Sequence, residues 1–133
     1  FNLAITNKRN NKITLYYRRK MNALNTTDES FAKRNFPNGY KTLDVECSSL
    51  DSVLSKTKYK DKVIDFLNID VENTEKDVLE SLSFEIYRPK LICVEIHHES
   101  EENLKSNMTY KFLLEKGYKV TWRKEYSFIF LPV

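Results

Sequence analysis

Two near-continuous apolar runs, separated by a helical pattern, dominate the middle of the chain. They span residues 63–71 and 90–96, and the intervening residues 72–83 place apolar side chains on one face of a helix. Apolar strands that alternate with helices are typical of a parallel sheet covered on both sides. The pattern therefore predicts an α/β fold, with Asn73 as the expected cap of the intervening helix.

The N-terminal third alternates between strand-like and turn-like composition. Residues 1–6 and 13–17 are apolar or β-branched and flank an Asn-rich turn, which predicts a hairpin. Residues from about 21 to 40 are rich in Asn, Thr, Ser and Lys and contain a Pro-Asn-Gly turn, so we predict a mobile excursion there.

Two more helices are predicted on either side of the central apolar runs. Residues 40–47 alternate as a strand, and Ser48 or Ser49 is expected to cap a short helix after it. A longer helix is predicted from about residue 101 to residue 116, and Gly117 can adopt the left-handed conformation that ends it. The core-facing stripe of that helix consists of Leu104, Met108, Phe112 and Leu113.

The end of the chain reads as two strands. Residues 118–122 and 127–131 predict a closing antiparallel hairpin. Together the elements predict one domain over residues 1–133, built on a single sheet that is mostly parallel and ends in this hairpin.

Composition narrows the classes of partner and compartment. The 22 basic and 19 acidic residues are largely interspersed, so we expect no nucleic-acid partner, and the run Arg18-Arg19-Lys20 reads as a solvated turn. No apolar run approaches the roughly 20 residues that span a bilayer, so we expect no membrane span. Cys47 and Cys93 lie far apart in strand-like segments, which is typical of reduced thiols in the cytoplasm.

Acidic residues and an imidazole follow the two central runs. Asp70 and Glu72 end one run, and Glu95 and His97 end the next. Ligands bind outside the carboxyl ends of parallel strands, so these four side chains are the candidate site. A partly desolvated carboxylate is a better base than an exposed one, and an imidazole titrates near neutrality.

Other interpretations of the same residues remain open. Glu72 is equally well explained as an acid in the first turn of a helix, where it suits the helix dipole. Asp70 would be costly to bury without a partner, which favours a functional or capping role. A metal site built from His97, His98 and the acids at 99–102 is disfavoured, because adjacent residues on a strand point to opposite faces. We therefore predict no metal site.

Several segments resemble those of a known family. Residues 64–75 read IDFLNIDVENTE, residues 88–90 read RPK, and the strand that follows ends in Val94-Glu95. FkbM-type methyltransferases, which are class I enzymes that use S-adenosylmethionine, carry a strand close to IDFLKIDVEGAE and then RPK before a strand that ends in VE. The upstream SLD at residues 49–51 and the Gly-Tyr pair at residue 117 are also similar to segments of that family.

The resemblance implies a Rossmann-like fold and methyl transfer. S-adenosylmethionine would donate the methyl group to an oxygen, or to a nitrogen, of a small molecule or glycan. Asp70 and Glu72 would border the cofactor, and Asp70, Glu95 and His97 would be the catalytic residues, the last two orienting or deprotonating the acceptor hydroxyl.

The chain departs from the family pattern at two places. The family's glycine-containing DVGAN-type loop and first cofactor-binding strands have no counterpart in this sequence, so we expect a partial, C-terminal portion of the domain that is inactive alone. In addition, Asn73 and Thr74 replace a Gly-Ala pair. The second hypothesis is therefore a non-catalytic binding or scaffold module, in which a homodimer covers the sheet edge left open.

Overall fold

The computed structural model describes residues 3–19, 23–98 and 100–133. The strands are β1 Ala4–Ile5, β2 Lys12–Tyr17, β3 Lys41–Ser48, β4 Leu67–Ile69, β5 Ile92–Glu95, β6 Tyr118–Lys124 and β7 Ser127–Pro132. The helices are α1 Glu29–Asn35, α2 Leu50–Leu54, α3 Glu75–Glu80, α4 Phe84–Tyr87, α5 Glu101–Ser106 and α6 Met108–Glu115. The parts of the predictions that concern Phe1, Asn2, Lys20, Met21, Asn22 and Glu99 lie outside these residues.

The strands form two sheets. One has the order β1-β3-β2 and the other the order β4-β5-β7-β6. The predicted α/β class is confirmed, but a single, mostly parallel sheet is wrong. Among the described strands only β1–β3 and β4–β5 pair in parallel, and the other three pairings are antiparallel.

The predicted C-terminal hairpin is confirmed, and its second strand lies inside the sheet. β7 pairs with both β5 and β6. This interior position fully buries its side chains Phe128 and Phe130. β6 carries four exposed residues at its end and takes the edge instead. Burial of aromatic side chains therefore decides which arm of the hairpin is interior.

The predicted N-terminal hairpin is wrong. Residue Ala4 of β1 pairs in parallel with Cys47 of β3, and β2 pairs antiparallel with the other edge of β3. β3 is the longest strand of this sheet and lies between the other two. A local pattern identifies strands but not the distant strand that each one pairs with.

The segment predicted as an excursion contains a helix. Asp28 caps α1 by accepting hydrogen bonds from the backbone N–H groups of Ser30 at 2.7 Å and Phe31 at 3.2 Å. Phe31, Ala32 and Phe36 are buried. The prediction of an irregular excursion is therefore wrong for residues 28–36. An Asp in the capping position followed by an apolar face favours a helix there.

The expected short helix α2 is confirmed, with the Ser49 side chain accepting from the N–H of Ser52 at 3.1 Å. The predicted helix over residues 101–116 is instead two helices. Asn107 has an extended backbone that ends α5, and its side chain caps α6. Met108, expected in the core, is consequently 69% exposed. Gly117 closes α6 at a φ of +77°, as predicted.

One apolar core joins the second sheet to its helices. It contains Ile69, Val78, Leu79, Leu82, Phe84, Tyr87, Ile92, Val94, Ile96, Leu104, Leu113, Tyr118, Phe128 and Phe130. The strand predicted over residues 63–71 is shorter than expected, since β4 contains only Leu67–Ile69. Val63 and Phe66, which precede β4, are more than half exposed. In the described part of the chain, no helix has the length and apolar character needed to cross a membrane.

Candidate functional site

The carboxyl ends of β4 and β5 lie side by side. Ile69 pairs with Val94 in a parallel register, so Asp70 and Glu95 follow at the same edge of the sheet. Glu72 and His97 lie two residues farther along each strand path. The structure therefore brings the predicted residues to one place, as expected from the parallel pairing.

Glu72, Glu95 and His97 form a close group, which we call the acid–imidazole cluster. The Nε2 atom of His97 lies 3.4 Å from Oε2 of Glu95 and 4.0 Å from Oε2 of Glu72. Its ring centroid is 4.7 Å from that of Tyr126 and 6.3 Å from that of Phe31. The imidazole is thus held between two aromatic rings and two carboxylates, and its side chain remains 42% exposed.

Burial, together with the negative charge of Asp70, raises the pKa values of both carboxyl groups. Burial raises the pKa of Glu72, and the negative charges of Glu95 and Asp70 raise it further, against an opposing effect of His97. Burial also raises the pKa of Glu95, His97 opposes this effect, and Asp70 adds to it. A carboxylate with a raised pKa is a stronger proton acceptor, so this cluster is suited to take a proton from a bound hydroxyl.

The loop between β4 and α3 has an unusual backbone. Glu72 and Asn73 have φ angles of +54° and +79°, a left-handed region that residues with a side chain rarely adopt. The helix N-cap is Thr74, so the prediction of Asn73 as cap is wrong. Glu72 lies before the helix, which also excludes its interpretation as a first-turn acid.

Side chains from both sides hold this loop. Oε1 of Glu75 accepts from the backbone N–H of Asn73 at 3.1 Å. The hydroxyl of Thr26 donates to the carbonyl oxygen of Glu72 at 2.6 Å, and the amide of Asn73 donates to the carboxylate of Asp28. Sequence reasoning missed Thr26 and Asp28, although an Asp three residues before a Phe-Ala pair was a recognisable helix start.

Asp70 is exposed, which corrects one argument from sequence. The cost of burying an unpaired acid does not apply to it. It lines a groove of about 470 Å³ together with Asn25, Asn68 and Thr27. Oδ1 of Asn25 is buried there without a hydrogen-bond partner among the described residues. Apolar side chains from β1, β2, α2, β4 and α3 form the rest of the wall.

Two more cavities are lined by members of the cluster itself. One, of about 200 Å³, is lined by Glu95, His97, Asn73 and Thr109. The other, of about 570 Å³, has His97 and Asn73 on its wall as well. The wider cavity adds the polar and aromatic side chains of Arg34, Asn103, Asn107 and Tyr126. The site thus has a groove on the Asp70 side and an open cleft on the His97 side.

His98 does not join the cluster. Its Nδ1 atom lies 3.1 Å from the carbonyl oxygen of Ile96, and its ring centroid is 5.5 Å from that of Phe128. Both histidines lie near Tyr126 and line the wider cavity, but their polar contacts differ, as the alternation of side chains along an extended segment predicts.

Comparison with known proteins identifies the family. Residues 1–120 match the Methyltransferase FkbM domain. The chain belongs to the FkbM methyltransferase domain family. No curated protein and no solved structure gives a match. In this FkbM domain, Asn73 occupies the position where the resemblance places glycine, and it adopts a left-handed φ of +79°, which Asn tolerates better than most side chains.

Proposed function

We propose that the chain is part of an S-adenosylmethionine-dependent methyltransferase that methylates an oxygen atom of a small molecule or glycan. The observation that supports the proposal best is the position of Asp70 beside Glu95 and His97, at the carboxyl ends of two parallel strands. In a Rossmann-like sheet, ligands bind at this edge, because loops and helix N-termini converge there.

The groove beside Asp70 fits a cationic cofactor. S-adenosylmethionine carries an ammonium and a sulfonium group, and the groove offers the exposed carboxylate of Asp70. Its volume of about 470 Å³ lies within the usual range for small-molecule sites. Asp70 and Glu72 would border the cofactor, which supplies the methyl group. Gly39 and Gly117 are the only glycines of this sequence, and they lie far apart. A glycine-rich loop that binds the cofactor would therefore be formed by residues other than those of this sequence.

The cleft beside His97 fits a hydroxylated acceptor. Asn73, Asn103 and Asn107 present amide groups that donate and accept hydrogen bonds, and Tyr126 presents an aromatic ring. Sugars and related polyols have hydroxyl groups and apolar faces that match both features. Glu95 and His97 would orient the acceptor oxygen and remove its proton. Alignment of the nucleophile contributes most of the rate in such a transfer, so these residues act mainly by positioning.

The thiols agree with a reducing compartment. Cys47 and Cys93 are both free and partly buried. We therefore propose a cytoplasmic location, since an oxidising compartment favours disulfides.

The test is calorimetric titration of S-adenosylmethionine into this chain and into the product of the complete reading frame that contains it. We expect the longer product to bind. In that product, Asp70→Asn should lower methyl transfer by at least about 100-fold. Asp65→Asn is the matched control, since Asp65 is 83% exposed and pairs with Lys90 away from the site. Unchanged turnover in the Asp70 variant would refute the proposal.

A non-catalytic binding module is the second candidate. β4 is an edge strand of its sheet among the described strands, which leaves one row of backbone groups open for pairing. A second copy of the chain would cover that edge in a homodimer. Absence of cofactor binding by both products, together with a dimer in sedimentation, would favour this module.

A further inference from the structure

We propose that Glu72, Glu95 and His97 form a binding site for a divalent transition-metal cation, for which Zn²⁺ is the probe. One ligand atom from each residue lies within 4.8 Å of the other two. Two carboxylate oxygens and one imidazole nitrogen are ligands that zinc and its neighbours in the first transition row accept. Binding of the ion does not depend on the proposed methyl transfer, but it would occupy the Glu95 and His97 atoms that the metal-free site would use to take the acceptor proton.

The buried oxygen of Glu72 points to a cation independently. Glu72 is 8% exposed, and its Oε2 atom is buried without a hydrogen-bond partner among the described residues. The imidazole nitrogen of His97, at 4.0 Å, is beyond hydrogen-bond distance. A buried carboxylate without a partner is costly, so it requires either a proton or a positive ion. An ion bound between the three residues would satisfy this oxygen.

The distances are close to those of a metal centre. Two ligands at about 2.0–2.2 Å from one zinc ion are roughly 3.3 Å apart in a tetrahedral arrangement. The distance of 3.4 Å between Nε2 of His97 and Oε2 of Glu95 already fits this geometry. The distance of 4.0 Å between Nε2 of His97 and Oε2 of Glu72 requires only a small approach of the two side chains. The partly exposed imidazole leaves the ion a route from solvent.

Three protein ligands leave one position open. Glu95 and His97 also line the cavity of about 200 Å³, so a water or another oxygen ligand has room beside the ion. Zinc sites of this type, with an open fourth position, are catalytic more often than structural.

The proposal differs from the sequence prediction of no metal site for a specific reason. That prediction considered His97 with His98 and the acids that follow, and His98 does point elsewhere, toward Phe128. The third ligand comes instead from Glu72, which reaches the cluster only because its backbone is left-handed and the neighbouring strand is parallel.

The experiment titrates ZnCl₂ into the chelator-treated chain, with calorimetry and a thermal-unfolding measurement at each step. We expect one equivalent of Zn²⁺ to bind and to raise the unfolding temperature. Glu72→Gln, Glu95→Gln and His97→Ala should each weaken binding by at least about 10-fold. Glu72→Gln removes a buried unpaired charge and keeps the shape of the side chain, so it is expected to fold.

Two variants serve as matched controls. Glu102→Gln changes an exposed carboxylate, and His98→Gln changes the imidazole outside the cluster, so both should bind Zn²⁺ as the parent chain does. The proposal is wrong if the parent chain shows no saturable Zn²⁺ binding. It is also wrong if Glu72→Gln and His97→Ala bind Zn²⁺ as tightly as the parent chain does. Failure of the cofactor titration alone would refute methyl transfer and leave the metal site standing.

Discussion

The hydroxyl of Thr26 donates a hydrogen bond of 2.6 Å to the backbone carbonyl of Glu72, across 46 residues of sequence. Thr26 is 1% exposed, so this bond is shielded from water. The segment before α1 thereby supports the loop that carries Glu72 into the acid–imidazole cluster. An element far from the site in sequence is part of its scaffold.

Removal of that hydroxyl should destabilise the domain. Thr26→Val keeps the shape of the side chain but leaves the Glu72 carbonyl without its donor and the Asp28 N–H without the hydroxyl that accepts from it, so we expect a loss of about 1–3 kcal/mol in the free energy of unfolding. Thr26→Ser keeps the hydroxyl and should lose less than half as much. Denaturation in urea measures both. Equal stability of the two variants would show that the hydroxyl and its two hydrogen bonds contribute nothing.

The left-handed backbone at Asn73 gives a second prediction. Alanine at a φ of +79° brings its Cβ close to the following carbonyl, which costs about 1–2 kcal/mol, whereas glycine meets no such penalty. Asn73→Ala and Asn73→Gly both lose the hydrogen bond to Asp28, so their difference isolates the backbone. We expect the alanine variant to be less stable by about 1 kcal/mol in chemical denaturation. An alanine variant as stable as the glycine variant contradicts the assigned conformation.

Tyr118 gives a prediction at alkaline pH. Its hydroxyl donates to the carbonyl of Pro89 at 2.7 Å, and burial raises its pKa above the ordinary value of 10.0, with a smaller opposing effect of Arg88. The folded state therefore holds the phenol proton more tightly than the unfolded state. This contribution to stability is present below the unfolded pKa and is lost as pH rises through the folded pKa.

The variant Tyr118→Phe separates the two effects. It should lower the free energy of unfolding by about 1–2 kcal/mol at neutral pH, because the Pro89 carbonyl loses its donor. As pH rises above the ordinary tyrosine pKa of 10.0, its stability should fall less steeply than that of the parent chain. Urea denaturation across this range measures both slopes. Identical slopes would mean that Tyr118 does not titrate differently in the folded and unfolded states.

Substitution of the two adjacent histidines should have different effects, on turnover for His97 and on stability for His98. In the complete protein, His97→Ala is expected to lower the turnover number by about 100-fold and to leave S-adenosylmethionine affinity unchanged, since His97 is the histidine beside Glu95 in the cleft proposed for the acceptor. His98→Ala removes a ring that packs on Phe128, so it should lower stability by about 1 kcal/mol and affect turnover much less. Steady-state kinetics and thermal unfolding test the pair. The assignment is wrong if His98→Ala has the larger effect on turnover.

Many local features could be predicted from the sequence, because neighbouring residues encode them. Ser49 caps α2 with its own side chain, and Gly117 supplies the left-handed conformation that ends α6. The C-terminal hairpin follows from two β-rich runs around a short turn. The parallel strands β4 and β5 were also recognisable, and with them the edge where Asp70 and Glu95 meet.

Long-range pairing was decided only by the tertiary structure. Nothing within residues 1–17 indicates that β1 pairs with β3 and not with β2, since that choice depends on a strand some 40 residues away. The position of β7 inside its sheet depends on where Phe128 and Phe130 find a core. Both choices depend on contacts between segments that are distant in sequence, which no local window contains.

The same distinction between local and long-range features applies to the candidate site. The sequence by itself predicted the candidate residues, Asp70, Glu72, Glu95 and His97, because they follow apolar strands. Only the tertiary structure decided that Glu72 turns back toward His97 and that Thr26 holds it there. A left-handed φ at a non-glycine residue has no reliable sequence signal, and it is stabilised here by hydrogen bonds between segments that the folded chain brings together.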